Sequence, residues 1–466
     1  MVTKDYQEKG FIMGISSLGV GSSILTQSVL DQLRAADDAK FVTPITLDLA
    51  NIKDKQNSFG IISANLTNFI DSIDALKDPL LFNARSSTVT GTSVAVTAAS
   101  NSDIQKFTIN VGNLATKQIK ESGQFAASTA FVAGGAGSFN LTVGSAAPIT
   151  INYTATTTLD DLKKLIKTQA GTLVDPTVLN VGTGNSRLVL SSTNTGAAET
   201  ISISDNSGLL DTKLTTGMTT LQPSLDSNFT FNGRAVTRST NQVDDLVTGY
   251  KITLNATGSS DVNVAQDRVS ILSKVNSFVE KYNATMTELG KQTKASTDST
   301  VKGIFSGEST ITRMQGTIVN MIHNISGGAG NLEDYGFSVA KDGKMSVDQT
   351  ALNKKLDTSS TNVQAFFSGG NFTKPDNSVV ALTGAFTQFS TLVTSYTSAT
   401  GTLNKYKDSL AAETTSLNDR KTTASGRLDA RYEILKKQYA AYNSMINKIT
   451  NASSMFTQMT KTSTTG

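Results

Sequence analysis

The sequence predicts a multi-domain α+β protein. Terminal helices are expected to form a coiled-coil stalk, joined to a helical bundle domain and two β-rich outer domains, one inserted in the other. Apolar heptads near both ends predict the helices, and alternating apolar residues between turn residues predict the β-rich middle. The length of 466 residues exceeds one ordinary core, because domains average ~100–200 residues.

Composition argues against several function classes. The formal net charge is +3 and 17% of residues are charged, so the chain lacks the positive excess of proteins that bind nucleic acid. It has no cysteine, so neither disulfides nor thiolate metal sites stabilise the fold. No segment approaches the ~20 apolar residues that cross a bilayer, and nothing near the start has the pattern of a cleaved signal peptide. We therefore expect no nucleic-acid and no membrane partner.

The N-terminal stem helix is predicted to begin at Thr43 and Pro44, an N-cap and first-turn pair. Its apolar residues recur every seven positions, as in a coiled-coil seam: Ile45, Ile52, Phe59, Leu66 and Ile73. The second seam line is half polar: Leu49, Gln56, Ser63 and Ile70. Pro79 ends the helix shortly after Leu76. A stem of roughly 30 residues would be about 45 Å long.

The C-terminal segment repeats this pattern in two registers. The first contains Leu403, Leu410 and Leu417. The second alternates steps of four and three through Leu428, Tyr432, Leu435, Tyr439, Tyr442, Ile446 and Ile449. The registers do not match, and such a stutter locally unwinds a left-handed supercoil. We expect one long helix with a change of twist near Gly426.

The two terminal helices are predicted to pair, since neither buries its apolar stripe alone. Residues 14–78 hold eight acids against five bases, and residues 403–450 hold five acids against nine bases. Opposite net charges favour pairing modestly, because exposed ion pairs contribute only ~0–1 kcal/mol each. Two ordinary amphipathic helices in a globular bundle would show the same periodicity. The pattern does not decide whether the partner helix lies in the same chain or in a neighbour.

The middle of the chain is predicted to be β-rich. Five segments alternate apolar and polar residues: 107–111, 149–153, 188–190, 201–203 and 229–231. Asn232 and Gly233 tolerate the positive φ of a tight hairpin turn. One helix interrupts the strands, with Thr158 as its cap, Asp161 three residues on, and Gly171 at its end. A further helix is expected from about Gln266.

Residues that carry chemistry are few. His323 is the only histidine, which rules out a multi-histidine metal site. The glycine-rich residues 134–137 lack the lysine and hydroxyl of a phosphate-binding loop. Asp342 and Gly343 lack the carboxylate series of a calcium loop, and we interpret them as a type I′ turn. The sequence therefore predicts no catalytic residue, no cofactor, no metal site and no enzyme.

Residues 14–22 read GISSLGVGS, and residues 23–26 read SILT. The first of these segments resembles the opening of the flagellar filament cap protein family, the second of the hook-associated proteins (flagellar hook-associated protein 2), although residues 23–26 depart from the family's usual continuation. Residues 1–13 are then expected to be an N-terminal extension. The other blocks follow in the family's order: 107–111, 231–233, 243–246, 249–254, 278–283, 307–313, 335–345 and 431–445. The resemblance is poorest over about 119–222.

The resemblance implies a division of the chain into parts. Residues 14–42 and 403–466 would form the terminal leg, and 43–82 with 267–402 the helical core domain. Residues 83–119 and 223–266 would form a β-rich domain that carries the inserted β-rich outer domain, 120–222.

The resemblance also implies a structural cap at the filament tip that oligomerises into a ring and promotes ordered insertion of secreted flagellin. Its expected partners are flagellin, copies of itself, hook–filament junction proteins and a flagellar export chaperone. The chain would be extracellular, exported by the flagellar type III pathway without a cleaved signal.

Three sets of contact residues follow from the stripes and the resemblance together. Oligomer or filament contacts are expected at Leu18, Ile24, Leu25, Leu428 and Leu435. The chaperone or partner-helix stripe is Leu435, Tyr439, Tyr442, Ile446 and Ile449. The stalk seam is Ile45, Ile52, Phe59, Leu66 and Ile73.

Two other functions stay open at this point. Another axial flagellar protein, a flagellin or a junction-like protein, would share helical ends and a β-rich middle. A tip adhesin that binds mucin or host glycans through its Thr- and Ser-rich loops would also fit the outer domains.

Overall fold

The computed structural model describes residues 26–325 and 329–462. Within them, unit 1 takes the chain up to Lys77 and again from Lys274, and unit 2 takes Asp78–Ser273. Both helices and sheets are present, which confirms the α+β prediction. The finer predicted division into four parts stays a prediction.

Nine segments of the described residues are α-helical: α1 (Gln27–Phe41), α2 (Thr43–Lys77), α3 (Pro79–Asn83), α4 (Leu159–Ala170), α5 (Arg268–Thr293), α6 (Ser309–Asn324), α7 (Gln349–Ser368), α8 (Ala385–Thr397) and α9 (Thr402–Thr462).

The same residues contain nineteen strands: β1 (Arg85–Thr90), β2 (Val94–Ala98), β3 (Gln105–Asn113), β4 (Ile119–Glu121), β5 (Gly137–Val143), β6 (Ile149–Tyr153), β7 (Val174–Gly182), β8 (Asn185–Ser192), β9 (Ile201–Asp205), β10 (Thr219–Gln222), β11 (Ser227–Phe231), β12 (Arg234–Arg238), β13 (Gln242–Val243), β14 (Tyr250–Leu254), β15 (Gly258–Gln266), β16 (Phe337–Val339), β17 (Met345–Val347), β18 (Gly370–Thr373) and β19 (Val379–Leu382).

Helices α1 and α2 follow each other with only Val42 between them. The Val42 N–H donates to Asp38 O at 2.9 Å, and Val42 O accepts from the Thr46 N–H at 3.0 Å. Thr43 is therefore the first residue of α2, and the prediction that it is an N-cap is wrong. Its hydroxyl donates to Asp38 O at 3.2 Å, so it does not cap a free N–H. The preceding helix already supplies acceptors for this turn.

Helix α9 is a single helix of 61 residues, about 92 Å long at 1.5 Å per residue. It runs through Gly426 without a break, as predicted. The change of twist at that point stays a prediction.

The core of unit 1 is aromatic. The Phe278 ring on α5 lies 4.9 Å from Phe386 on α8 and 5.5 Å from Phe69 on α2, measured between ring centroids. Phe337 from β16 and Phe367 from α7 extend the same cluster. Offset and edge-on ring pairs add to the free energy of burial, so this cluster fixes where α2, α5 and α8 meet.

Two hairpins of unit 1 are held by asparagine side chains. Asn283 Nδ2 donates to Met345 O at 2.8 Å, and Asn283 Oδ1 accepts from the Met345 N–H at 2.7 Å. Asn362 makes the same pair of bonds with Thr373 in the β18–β19 hairpin. Each amide thus replaces one residue of a neighbouring strand.

Unit 2 contains two lobes, each with its own core. The β lobe is built from β1–β3 and β11–β15, in a five-stranded sheet of order β1-β15-β3-β11-β12 and a three-stranded sheet of order β13-β14-β2. The inserted lobe is built from β4–β10 and α4, with sheets of order β10-β4-β8-β7 and β6-β5-β9. The apolar clusters of the two lobes share no residue.

Local signals in unit 2 agree with the predictions. Thr158 Oγ1 accepts from the Asp161 N–H and Asp161 Oδ2 accepts from the Thr158 N–H, which completes a capping box for α4. Asn232 and Gly233 have φ of 49° and 82° between β11 and β12, as a type I′ turn requires.

The turn predicted in unit 1 at Asp342 and Gly343 differs. Residues 340–344 separate β16 from β17, and the Gly343 N–H donates to Ala340 O at 2.9 Å. Only Gly343 has a positive φ in this turn, whereas a type I′ turn requires two such residues. The type I′ prediction is wrong here because the connection is longer than two residues.

Candidate assembly interface

The two ends of the chain meet in unit 1 as a helix pair. Ile45 and Ile52 of α2 form one buried cluster with Leu410 and Leu417 of α9. Leu49, Tyr406 and Ala424 pack against this cluster while partly exposed. Gln56 of α2 contacts Thr414 of α9, and Phe59, further along α2, contacts Tyr406, which lies earlier in α9. Residue numbers therefore fall along α9 as they rise along α2, so the pair is antiparallel. Two of the five predicted seam residues therefore join α2 to α9 within one chain through this buried cluster.

The remaining seam residues lie deeper in unit 1. The Phe59 ring centroid is 6.2 Å from that of Tyr406, where α9 begins. Leu66 and Ile73 are fully buried, in the part of α2 where Phe69 and Asp74 contact Phe389 and Ser390 of α8. One continuous heptad stripe thus serves the stalk at one end and the helical core at the other.

Polar contacts accompany the apolar seam. Lys55 Nζ lies 3.0 Å from Glu308 Oε1 at the start of α6, with both side chains mostly shielded from water. Gln56 Nε2 donates to Thr414 Oγ1 at 3.1 Å across the pair. Sequence periodicity does not indicate such pairs, although Glu308 lies in one of the blocks that resemble the cap family.

Helix α1 continues the pairing along α9. Arg34 lies 2.7 Å from Asp429, and Arg431 lies 3.2 Å from Asp37. The Tyr432 hydroxyl donates to Asp37 at 2.8 Å. Burial, followed by this hydrogen bond, raises the pKa of Tyr432. In one ion pair α1 supplies the base, and in the other α1 supplies the acid. The net charges of the two ends therefore predict that the helices attract each other, but they do not predict which residues pair.

The last part of α9 presents two apolar faces. Leu428 is buried, and Leu435, Tyr439 and Ile446 are partly buried on one face. Tyr442 and Ile449 are about three-fifths exposed and lie on a second face with other large apolar side chains: Ile434, Met445, Phe456 and Met459, with Met455 at its edge. At 100° per residue the centres of the two faces lie roughly 90–100° apart. The predicted chaperone stripe is therefore divided between them, and its role stays a prediction.

The predicted contacts Leu18, Ile24 and Leu25 lie outside the described residues. Leu428 and Leu435 are the two predicted oligomer contacts that the structure places, both on the more buried face of α9.

Groups with catalytic or ligand-binding chemistry are sparse. His323 Nδ1 lies 3.3 Å from Glu333 Oε1, and both side chains are about half exposed. Within residues 26–325 and 329–462, no three acidic or histidine side chains are grouped so as to hold a metal ion. In the same part of the chain, no helix has the length and hydropathy to cross a membrane. The contacts described above are therefore apolar packing between α2 and α9 and ion pairs between α1 and α9.

Comparison with known proteins agrees with this description. The family model "Flagellar hook-associated protein 2 N-terminus" matches residues 22–118, and "Flagellar hook-associated protein 2 C-terminus" matches residues 224–451. The unmatched residues between them hold the inserted lobe.

Individual relatives match over different lengths. The flagellar hook-associated protein 2 of Escherichia coli K12 is 28% identical over 95% of this chain and 97% of its own length. That of Helicobacter pylori J99 is 30% identical over 49% of this chain, but the match spans only 34% of that longer protein. The solved D1-D2-D3 domains of the Escherichia coli flagellar cap protein FliD superpose with a TM-score of 0.57 at 25% identity, covering 76% of this chain and 99% of that one.

The two family models together match residues 22–118 and 224–451, which is more than half of the chain, and leave out the inserted lobe. The chain belongs to the flagellar hook-associated protein 2 family.

Proposed function

We propose that this protein is the cap of the bacterial flagellar filament, that it assembles with copies of itself into a ring at the filament tip, and that it promotes the ordered insertion of secreted flagellin. The observation that carries the proposal is the antiparallel pair of α2 and α9. It joins the two ends of the chain into one stem, and α9 extends from that stem as a long helix whose distal apolar side chains are exposed.

The stem would be the part that reaches into the filament, and the β-rich lobes would cover its end. Insertion needs no nucleotide in this scheme. Flagellin folding and burial of its own apolar surface would drive each step, because a partner that binds only the folded state shifts the folding equilibrium. The cap would supply a sheltered space and contacts that move from subunit to subunit.

An export chaperone would fit the end of α9. Helix-in-groove recognition requires apolar anchors spaced three and four apart, and the exposed face with Tyr442, Met445 and Ile449 has that spacing. The final 29 residues of α9, 434–462, contain no acid but include Lys436, Lys437 and Lys448. A groove with an acidic rim would therefore complement this segment.

The remaining partners and the location belong to the same proposal. Hook–filament junction proteins would support the first ring before flagellin arrives. Export would use the flagellar type III pathway without a cleaved signal, and a chain without cysteine would cross it free of disulfides.

Truncation tests the stem. Deletion of residues 403–466 should leave folded β-rich lobes and abolish filament growth, with flagellin appearing in the medium as monomer. Circular dichroism of the purified variant, electron microscopy of the cells and flagellin in the culture supernatant provide the readouts. Filaments of normal length would refute the proposal.

Assembly of the purified full chain separates this proposal from another axial protein. A cap should stop at small closed rings, whereas a flagellin-like chain should polymerise into open filaments.

A further inference from the structure

The two lobes of unit 2 share no apolar cluster at the joint between them. The chain crosses between the lobes at residues 114–118 and 222–226, and these crossings pair through Thr116 and Leu225. The Thr116 N–H donates to Leu225 O at 2.9 Å, and the Leu225 N–H donates to Thr116 O at 3.3 Å. Leu225 is 43% exposed, and the apolar cores of the lobes stay separate. Domains joined without a large apolar interface move relative to each other by default.

A loop of the inserted lobe, residues 193–199, adds a third connection. It reaches back to the β lobe and to the crossings through four hydrogen bonds: Thr195 Oγ1 to Ser239 O at 2.7 Å, Gly196 N to Thr116 O at 3.1 Å, Ala197 N to Asp226 Oδ1 at 2.7 Å, and Ser224 Oγ to Ala197 O at 3.3 Å. The two chain crossings alone would act as a hinge. A third attachment away from them, the loop 193–199, restricts the angle between the two lobes.

The loop is itself anchored in the inserted lobe at both ends. The Thr193 N–H donates to Leu173 O at 2.9 Å, and Thr200 O accepts from the Gly144 N–H at 2.8 Å. Motion of the loop therefore has to carry the inserted lobe with it.

Gly196 permits a close approach between the lobes. It is buried, with φ of 122°. A Cβ at this position would lie 2.8 Å from Ser239 Cβ and 3.2 Å from Asp226 Oδ1. Only glycine combines this backbone conformation with this separation. The residue type here is explained by contact between lobes, and not by the turn alone.

We propose that residues 193–199 form a strut that fixes the angle between the β lobe and the inserted lobe, with Gly196 and Asp226 as its positioning residues. All four attachments are polar, so water competes for them once they open, and the strut releases without exposing either apolar core. In a ring of copies this angle decides where each inserted lobe meets its neighbour. Only that last step rests on the proposed function.

The test measures the distance between the lobes in the full chain. Because the protein has no cysteine, Lys106→Cys in β3 and Thr183→Cys in the β7–β8 turn, both exposed positions, take spin labels uniquely. Pulsed electron spin resonance then gives the distance distribution. We expect one narrow distribution for the labelled parent and a shifted, wider one for Asp226→Ala, which deletes the acceptor of the Ala197 N–H.

Two controls separate a strut from general damage. Asp226→Asn keeps the accepting oxygen, so it should restore the narrow distribution. Gly196→Val should widen the distribution, whereas Gly134→Val in the same lobe should leave it unchanged, because a Cβ at Gly134 meets no atom within 4 Å. Since positive φ strains any residue other than glycine, the Asp226 variants decide the outcome if Gly196→Val fails to fold.

Two results overturn the proposal: a broad distance distribution in the labelled parent itself, or an Asp226→Ala distribution with the same position and width as that of the parent. The measurement needs no assembled ring. A result against the strut would therefore not contradict the proposed cap function, and a result against the cap function would not contradict the strut.

Discussion

Replacement of Ile52 by alanine tests whether the apolar seam holds α2 to α9. Ile52 is 4% exposed and lies in the cluster with Leu410 and Leu417. The change removes three carbon groups, each of which contributes about 0.8 kcal/mol when buried, so about 2.4 kcal/mol is lost. Alanine favours the helix by about 0.4 kcal/mol. The helix pair should therefore be destabilised by about 2 kcal/mol.

Amide hydrogen exchange measures this loss where it occurs. Amides in paired helices exchange when the pair opens, and each 1.4 kcal/mol corresponds to a tenfold change in an equilibrium constant. Exchange in residues 43–56 and 406–424 should therefore become roughly 30-fold faster in Ile52→Ala. Amides in the two lobes of unit 2 should keep the parent rates, because those lobes have separate cores.

Leu47→Ala is the matched control on the same helix. Leu47 is 65% exposed, so its truncation should change stability by no more than about 0.5 kcal/mol. Equal acceleration in the two variants, or none in Ile52→Ala, would show that the seam does not hold the stem together.

Three further variants address single contacts. Tyr282→Phe removes a fully buried hydroxyl that has no hydrogen-bond partner among the described residues, so urea unfolding should show no loss, and a gain of up to about 1 kcal/mol. Burial raises the pKa of Tyr282 to about 12, above the ordinary value near 10. Between these values the unfolded state loses the Tyr282 proton before the folded state does, so the free energy of unfolding should be unaffected by this group below pH 10 and should fall as pH rises towards 12. Tyr282→Phe should lack this fall. Asn283→Asp removes the donor to Met345 O and should lower urea stability by about 1–3 kcal/mol, whereas Asn68→Asp on the exposed side of α2 should not. Leu435→Asp should weaken chaperone binding or ring assembly more than it lowers the melting temperature of the outer lobes; equal loss of all three would mark a purely structural stripe.

Features that depend on near neighbours in the chain were predictable. The capping box at Thr158, the turn at Asn232 and the helix end before Pro79 were recognised because each requires particular residues within three or four positions. The errors arose where a neighbouring element intervened. Helix α1 supplies acceptors to the start of α2, so Thr43 is no cap, and the loop before Met345 is longer than a two-residue turn.

Heptad periodicity by itself determined which side of α2 is apolar, since that depends only on 3.6 residues per turn. Only the tertiary structure decided what each residue of that side meets: Ile52 contacts α9, whereas Leu66 and Ile73 are buried where α2 packs on α8. The same holds for the end of α9, where a single stripe with steps of three and four residues includes both the partly buried Leu435 and the exposed Ile449. The physical reason is that periodicity is a local property of one helix, while burial depends on segments hundreds of residues away.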